Sequence, residues 1–192
     1  MNNKELFPLE PSLCWTIFGD YLFMLNKWFD IEIFSFVMMP NHVHLLCRDP
    51  GANLSVAMAI FMRETSKEIS RFAGRINRIW GSPFFSSVIG NHHYFLHAYK
   101  YTYRNPVAAR LCERVEDYPW STLAILLGHR RDIIPLQYDD TLFNDVTGTL
   151  RWLNEDYNKK DADTLRHGLH KKYFRLPVDR NTRKPSPLET GL

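Results

Sequence analysis

Two short stretches of this chain carry residue types that could do chemistry together. The first is Met39-Pro40-Asn41-His42-Val43-His44-Leu45-Leu46. In a strand, residues two apart point to the same side, so His42 and His44 would present two imidazoles side by side. Neutral imidazoles at that spacing can share one divalent ion; they can equally be structural histidines. The second stretch is Tyr99-Lys100-Tyr101-Thr102-Tyr103-Arg104-Asn105-Pro106-Val107. In a helix Tyr101 and Asn105 fall on one face. The phenol can serve as a nucleophile and the amide oxygen as a third metal ligand. Tyrosine attacks poorly near neutrality because its pKa is about 10, so it needs nearby positive charge or a polarised electrophile. The competing reading is that Tyr99, Tyr101 and Tyr103 only pack.

The elements that must position these residues follow from periodicity. Residues 11–29 repeat apolar side chains at helical spacing after Pro11-Ser12. Residues 31–39 alternate imperfectly and are rich in Ile, Phe and Val, which predicts a strand. Pro40-Asn41 is a turn signal, and residues 42–48 predict a second strand. Asn53 can cap a helix over 54–72, which Gly74 ends. Residues 84–89 predict a third strand. Asn91 starts a helix that should stop by Asn105, because Pro106 follows. Tyr118-Pro119-Trp120-Ser121 begins a short helix ending at Gly128, and residues 150–152 and 162–173 look helical. This order predicts an α+β fold with helices on one side of an antiparallel sheet. It divides into a catalytic unit, 1–128, and a helical appendage with a basic tail, 129–192.

Composition excludes several classes. The 192 residues are 45% apolar and 23% charged, ordinary for a globular protein that buries a real core. The odd cysteine count (Cys14, Cys47 and Cys112) at wide spacing argues against a disulfide framework and a cysteine zinc site. No apolar run is long enough for a spanning helix, and the N-terminus has no signal-peptide pattern. A cytoplasmic protein with no membrane partner is therefore expected. A His-x-His metal hydrolase is disfavoured, because no Asp follows His44 by two residues.

The net charge of +3 is unevenly spread. From Arg166 onward seven basic residues face only Asp179 and Glu189. Arg175, Arg180, Arg183 and Lys184 in this tail are candidate phosphate contacts. Arg63, Lys67 and Arg71 would form a stripe on the 54–72 helix, and Arg75 and Arg78 extend it toward Trp80. A solvated surface is the alternative for each group.

Taken together, Met39-Pro40-Asn41-His42-Val43-His44, Trp80 with its following segment, Tyr101-x-x-x-Asn105-Pro106-Val107 and Tyr118-Pro119-Trp120-Ser121 resemble the REP-associated tyrosine transposases, relatives of the single-tyrosine transposases of the IS200/IS605 group. The resemblance covers about residues 2–128, with a weaker echo over 150–184. It implies a ferredoxin-like βαββαβ core of the HUH type, Mg²⁺ or Mn²⁺ as cofactor, and single-stranded or hairpin DNA as partner. It implies that His42 and His44 are the paired histidines, that Asn105 completes the metal site, and that Tyr101 forms a 5′-phosphotyrosine during cleavage and strand transfer. It also implies a bacterial protein, associated with the nucleoid when bound to DNA, and allows a homodimer. One departure stands out: the chain begins at about the residues that follow the strand usually found before the first helix in the family, which implies that the start is misassigned, that another element fills the sheet position, or that the copy is decayed. The alternative function is a catalytically decayed or domesticated DNA-binding protein of the same fold.

Overall fold

The structure is a computed structural model that describes residues 5–177, 186 and 188. A two-stranded antiparallel hairpin, β1 (Glu32–Met39) and β2 (His42–Arg48), lies at its centre. Helices α1 (Pro11–Phe29) and α2 (Leu54–Phe72) pack together against one face of it. Helix α3 (His92–Ala108) packs against the other. The short helices α4 (Thr122–Leu126), α5 (Asp140–Phe143), α6 (Val146–Asn154) and α7 (Lys159–Leu169) follow. The fold is α+β, as the order of elements predicts, but the helices cover both faces of the hairpin, not one. β1 explains why: Phe36, Val37, Met38 and Met39 are all buried in succession, and a strand apolar on both sides must be covered on both.

The imperfect alternation of β1 has a structural cause. Ile33 pairs with Cys47 and Ser35 pairs with Leu46, so Phe34 is an extra, bulged residue. Ile33, Phe36 and Met38 consequently join the α1/α2 core. Phe34, Val37 and Met39 join the α3 core. A bulge shifts the in–out parity by one; here it lets an irregular apolar run feed two cores.

The free edge of β1 is covered by irregular chain. The Met38 amide donates to the Trp120 carbonyl at 2.9 Å, and the Tyr118 hydroxyl donates to the Met38 carbonyl at 2.7 Å. Thr122 Oγ1 accepts from the Phe36 amide and donates to its carbonyl. The Gln137 amide donates to the Ile33 carbonyl at 2.8 Å. A buried strand edge must have its polar groups met. The Tyr118-Pro119-Trp120-Ser121 motif does this where a further strand would lie, and Ser121 also caps α4 by accepting from the Leu123 amide.

Several local expectations are corrected. Residues 84–89 are not a strand; only Val88 forms a bridge, to Tyr173, which also shows that the last helix stops before Tyr173. Asn53 does not cap α2 through its side chain; the Asp49 carboxylate accepts from the Asn53 and Leu54 amides instead. α3 runs through Pro106 to Ala108. Proline in the last turn removes one hydrogen bond, and the end is closed by Leu111 N–H to the Pro106 carbonyl and Arg110 N–H to that of Val107. Arg110 there takes a left-handed φ of 58°, the geometry of a Schellman cap.

Candidate active site

β2 sets the two imidazoles. Val37 pairs with His44 and Met39 with His42, and cross-strand partners share a face. Both imidazoles therefore lie on the α3 side, while Val43, Leu45 and Cys47 pack into the opposite core. His42 Nε2 and His44 Nε2 are 3.1 Å apart, with ring centres at 4.9 Å. His42 Nδ1 is 2.6 Å from Asn41 Oδ1. A protonated Nδ1 donating to that oxygen leaves Nε2 as the lone-pair nitrogen of a neutral ring. Burial pushes both histidines below their ordinary pKa, His44 to about 3 with help from the His42 and His170 charges. The pair is thus held neutral, the form that binds metal.

These donors fit a divalent ion. Two nitrogens, each about 2.1 Å from one ion in neighbouring octahedral positions, stand about 3 Å apart, close to the separation between the Nε2 atoms. Among the described residues no group of three or more His, Cys, Asp or Glu side chains could hold an ion, so any third protein ligand would be of another type. Asn105 is half-buried. Its amide nitrogen donates to the Tyr101 carbonyl at 2.7 Å, which occupies the nitrogen side of the amide and leaves ligation to the oxygen.

α3 separates Tyr99, Tyr101 and Tyr103. Tyr99 and Tyr103 are each 1% exposed. The Tyr99 hydroxyl donates to Asp139 Oδ2 at 2.5 Å, and the Tyr103 hydroxyl lies 3.2 Å from Thr122 Oγ1. Burial pushes both phenols above their ordinary pKa. Tyr101 is half-buried and its ring meets His44 edge to face, with centres 6.0 Å apart at 85°. Of the three, Tyr101 is the phenol presented to the histidine pair, and Tyr99 and Tyr103 are core residues.

His97 does not sit at a helix surface. It is fully buried, with Nδ1 3.1 Å from the Tyr157 hydroxyl and Nε2 3.0 Å from the Leu188 carbonyl. His93 reaches the same carbonyl at 2.6 Å. These histidines tie the C-terminal segment to α3. Trp80 is a packing residue against Phe7 and Phe18, with its indole N–H on Thr65.

The basic residues divide. Arg63 and Lys67 pair with Glu64, Arg71 with Glu68 and Arg75 with Glu5. Arg78 and Arg175 are exposed. Arg180, Arg183 and Lys184 lie outside the described residues. A feature that local sequence reasoning missed is His170, at the end of α7, which is near enough to His44 to oppose its protonation. No local pattern joins positions so far apart in the chain.

The hairpin thus turns its paired imidazoles toward a tyrosine-bearing helix. Residues 16–103 match the family model described as Transposase IS200 like, a span that contains His42, His44 and Tyr101. The match over that stretch supports an IS200/IS605-type transposase assignment, and that family implies transposase-type activity on DNA. No curated protein and no solved structure matches the chain. No helix among the described residues is long and apolar enough to cross a membrane.

Proposed function

We propose that this protein cleaves single-stranded DNA and transfers the cut strand through a covalent tyrosine intermediate, acting on repeat sequences folded as hairpins in the manner of a REP-associated tyrosine transposase. The observation that carries the proposal is the meeting of His44 with Tyr101 beside the converged Nε2 atoms of His42 and His44. On this account the hairpin and its flanking helices serve as the HUH core, with residues 118–122 and 136–137 covering the edge of β1.

His42 and His44 would hold Mg²⁺ or Mn²⁺, with the Asn105 amide oxygen as third protein ligand. When bound, the ion supplies electrophilic polarisation of the scissile phosphate. Tyr101 attacks phosphorus; the new bond is phenolic oxygen to phosphorus and the broken bond is phosphorus to the 3′ oxygen. The phenolic proton passes to solvent, and the departing oxygen takes one up as a 3′-hydroxyl. The phosphotyrosine conserves the phosphodiester bond energy, so rejoining to another 3′-hydroxyl needs no nucleotide cofactor. Arg175, Arg180, Arg183 and Lys184 are assigned as phosphate contacts, with Arg78 and the partly neutralised stripe of Arg63, Lys67, Arg71 and Arg75 in support.

The test is denaturing electrophoresis of the full chain after incubation with labelled single-stranded hairpin DNA drawn from the repeats flanking its gene. The proposal expects a covalent adduct with Mn²⁺ that chelation abolishes. DNA binding without an adduct under any divalent ion would instead favour a decayed binding protein of the same fold.

A further inference from the structure

Two aromatic rings that play no part in the proposed chemistry stand exposed near it. Phe85 is 60% exposed and Tyr173 is 52% exposed. Large apolar side chains grouped at a surface mark binding sites more often than isolated ones do. Their two segments are tied by backbone: the Val88 amide donates to the Lys172 carbonyl and the Phe174 amide to the Val88 carbonyl, each at 2.9 Å. Phe85 stacks on His170, ring centres 5.9 Å apart at 21°. His170 is itself fixed, its Nδ1 lying 2.7 Å from the Arg166 carbonyl.

The support beneath is tight. Phe174 is buried and packs against Tyr94, ring centres 4.8 Å apart. A Cβ on Gly168 would meet the Phe174 ring at 2.9 Å and the Arg175 carbonyl at 3.1 Å. The rings are therefore held on a packed base.

The surroundings are cationic. No acidic residue occurs between Asp163 and Asp179, a stretch that contains Arg166, Lys171, Lys172 and Arg175, all of them exposed. Lys172 Nζ lies 5.8 Å from the centre of the Tyr173 ring. Single-stranded nucleic acid is bound by this combination of aromatic faces for bases and cations for phosphates. The surface also lies close to the candidate centre. Tyr94 precedes Tyr101 by two helical turns, about 10 Å along α3.

We propose that Phe85, His170 and Tyr173 form a platform on which unpaired bases of single-stranded DNA stack, while Lys171, Lys172 and Arg175 take the intervening phosphates and lead the strand to Tyr101. This rests on the reading that the protein acts on single-stranded DNA, and it adds residues that contact bases.

Binding is measured by fluorescence anisotropy in the full-length Tyr101→Phe protein, which cannot cut. The probes are labelled oligothymidylate of about 20 nucleotides and an abasic deoxyribose-phosphate strand of equal length. Phe85→Ala and Tyr173→Ala should each weaken oligothymidylate binding about fivefold or more, a typical loss for one stacked base. Phe85→Tyr and Tyr173→Phe should retain it. The abasic strand should bind the parent protein about as weakly as oligothymidylate binds the double alanine variant. Unchanged oligothymidylate affinity in the double variant, or equal affinity for the abasic strand, would overturn the platform. Absence of adduct formation by wild type overturns the nuclease reading alone, because the binding comparison does not depend on cutting.

Discussion

His44 and Tyr101 meet edge to face across the space between β2 and α3, with ring centres 6.0 Å apart. Two independent geometries produce that meeting. The period of two in β2 turns both histidines toward α3, and the helical repeat of α3 turns Tyr101, but neither Tyr99 nor Tyr103, toward them.

The histidine pair should account for most metal affinity. His42→Ala and His44→Ala each remove one of two converged nitrogens and should lower Mn²⁺ affinity at least tenfold, while Asn105→Ala should lower it less. Isothermal calorimetry with Mn²⁺ reads this directly. Equal affinity in wild type and the double histidine variant would refute the site.

Tyr99→Phe should destabilise the fold without removing chemistry. Its hydroxyl is bonded to Asp139, whose carboxyl burial pushes up in pKa. Loss of a partner from such a buried group costs about 1–3 kcal/mol. Urea unfolding should show that loss, and adduct formation below the transition should persist. An adduct-dead but fully stable Tyr99→Phe protein would mean that the wrong tyrosine has been assigned.

Lys100 gives a pH signature with a definite sign. Its ammonium lies 5.1 Å from the ring centre of Trp152 and 4.7 Å from that of Tyr157. Burial lowers its pKa from 10.5 to about 8. Below about pH 8 the folded state carries the full cost of the buried charge. Between about 8 and 10.5 the unfolded chain binds more protons than the folded one, so this group makes stability rise with pH. Cys14 and Cys47, pushed up to about 11 and 12 by burial, act in the opposite sense, so the comparison must be with Lys100→Met. The stability of wild type minus that of the variant should rise from pH 8 to 10. A flat or falling difference would contradict the buried ammonium.

Salt dependence should locate the phosphate contacts. Truncating the C-terminus is a poor probe, because Leu176 and Leu188 pack against Leu165 and Phe174. Neutralising Arg175, Arg180, Arg183 and Lys184 to Gln avoids that loss. Each phosphate contact removed should flatten the slope of log affinity against log salt by about 0.7–0.9. Gln at Arg63, Lys67 and Arg71 should change the slope less, because Glu64 and Glu68 already oppose them. The reverse order would move the interface to α2.

Much of the fold was legible in sequence because short-range physics decides it. α1, the β1–β2 hairpin and α2 follow from periodicity and turn residues, and the convergence of His42, His44 and Tyr101 needs only strand and helix repeats. What was not legible depends on distant partners. Residues 84–89 have strand composition but find a partner only at Tyr173. The cap of α2 comes from Asp49, not Asn53, because the turn before the helix aims that carboxylate at the amides. The burial of His97 depends on Tyr157 and Leu188, and nothing nearby in sequence announces either. The helices on both faces were foreshadowed by the unbroken apolar run of β1, a stronger signal than the order of elements.

The most direct test of the central claim is to map the covalent bond. Wild-type protein is trapped with Mn²⁺ and single-stranded hairpin DNA, digested with nuclease and protease, and the nucleotide-bearing peptide is sequenced by mass spectrometry. The account predicts a phosphodiester remnant on Tyr101, absent from Tyr101→Phe and absent when His42 and His44 are both Ala. A remnant on Tyr99, Tyr103 or any other residue, or an adduct that survives Tyr101→Phe, would contradict it.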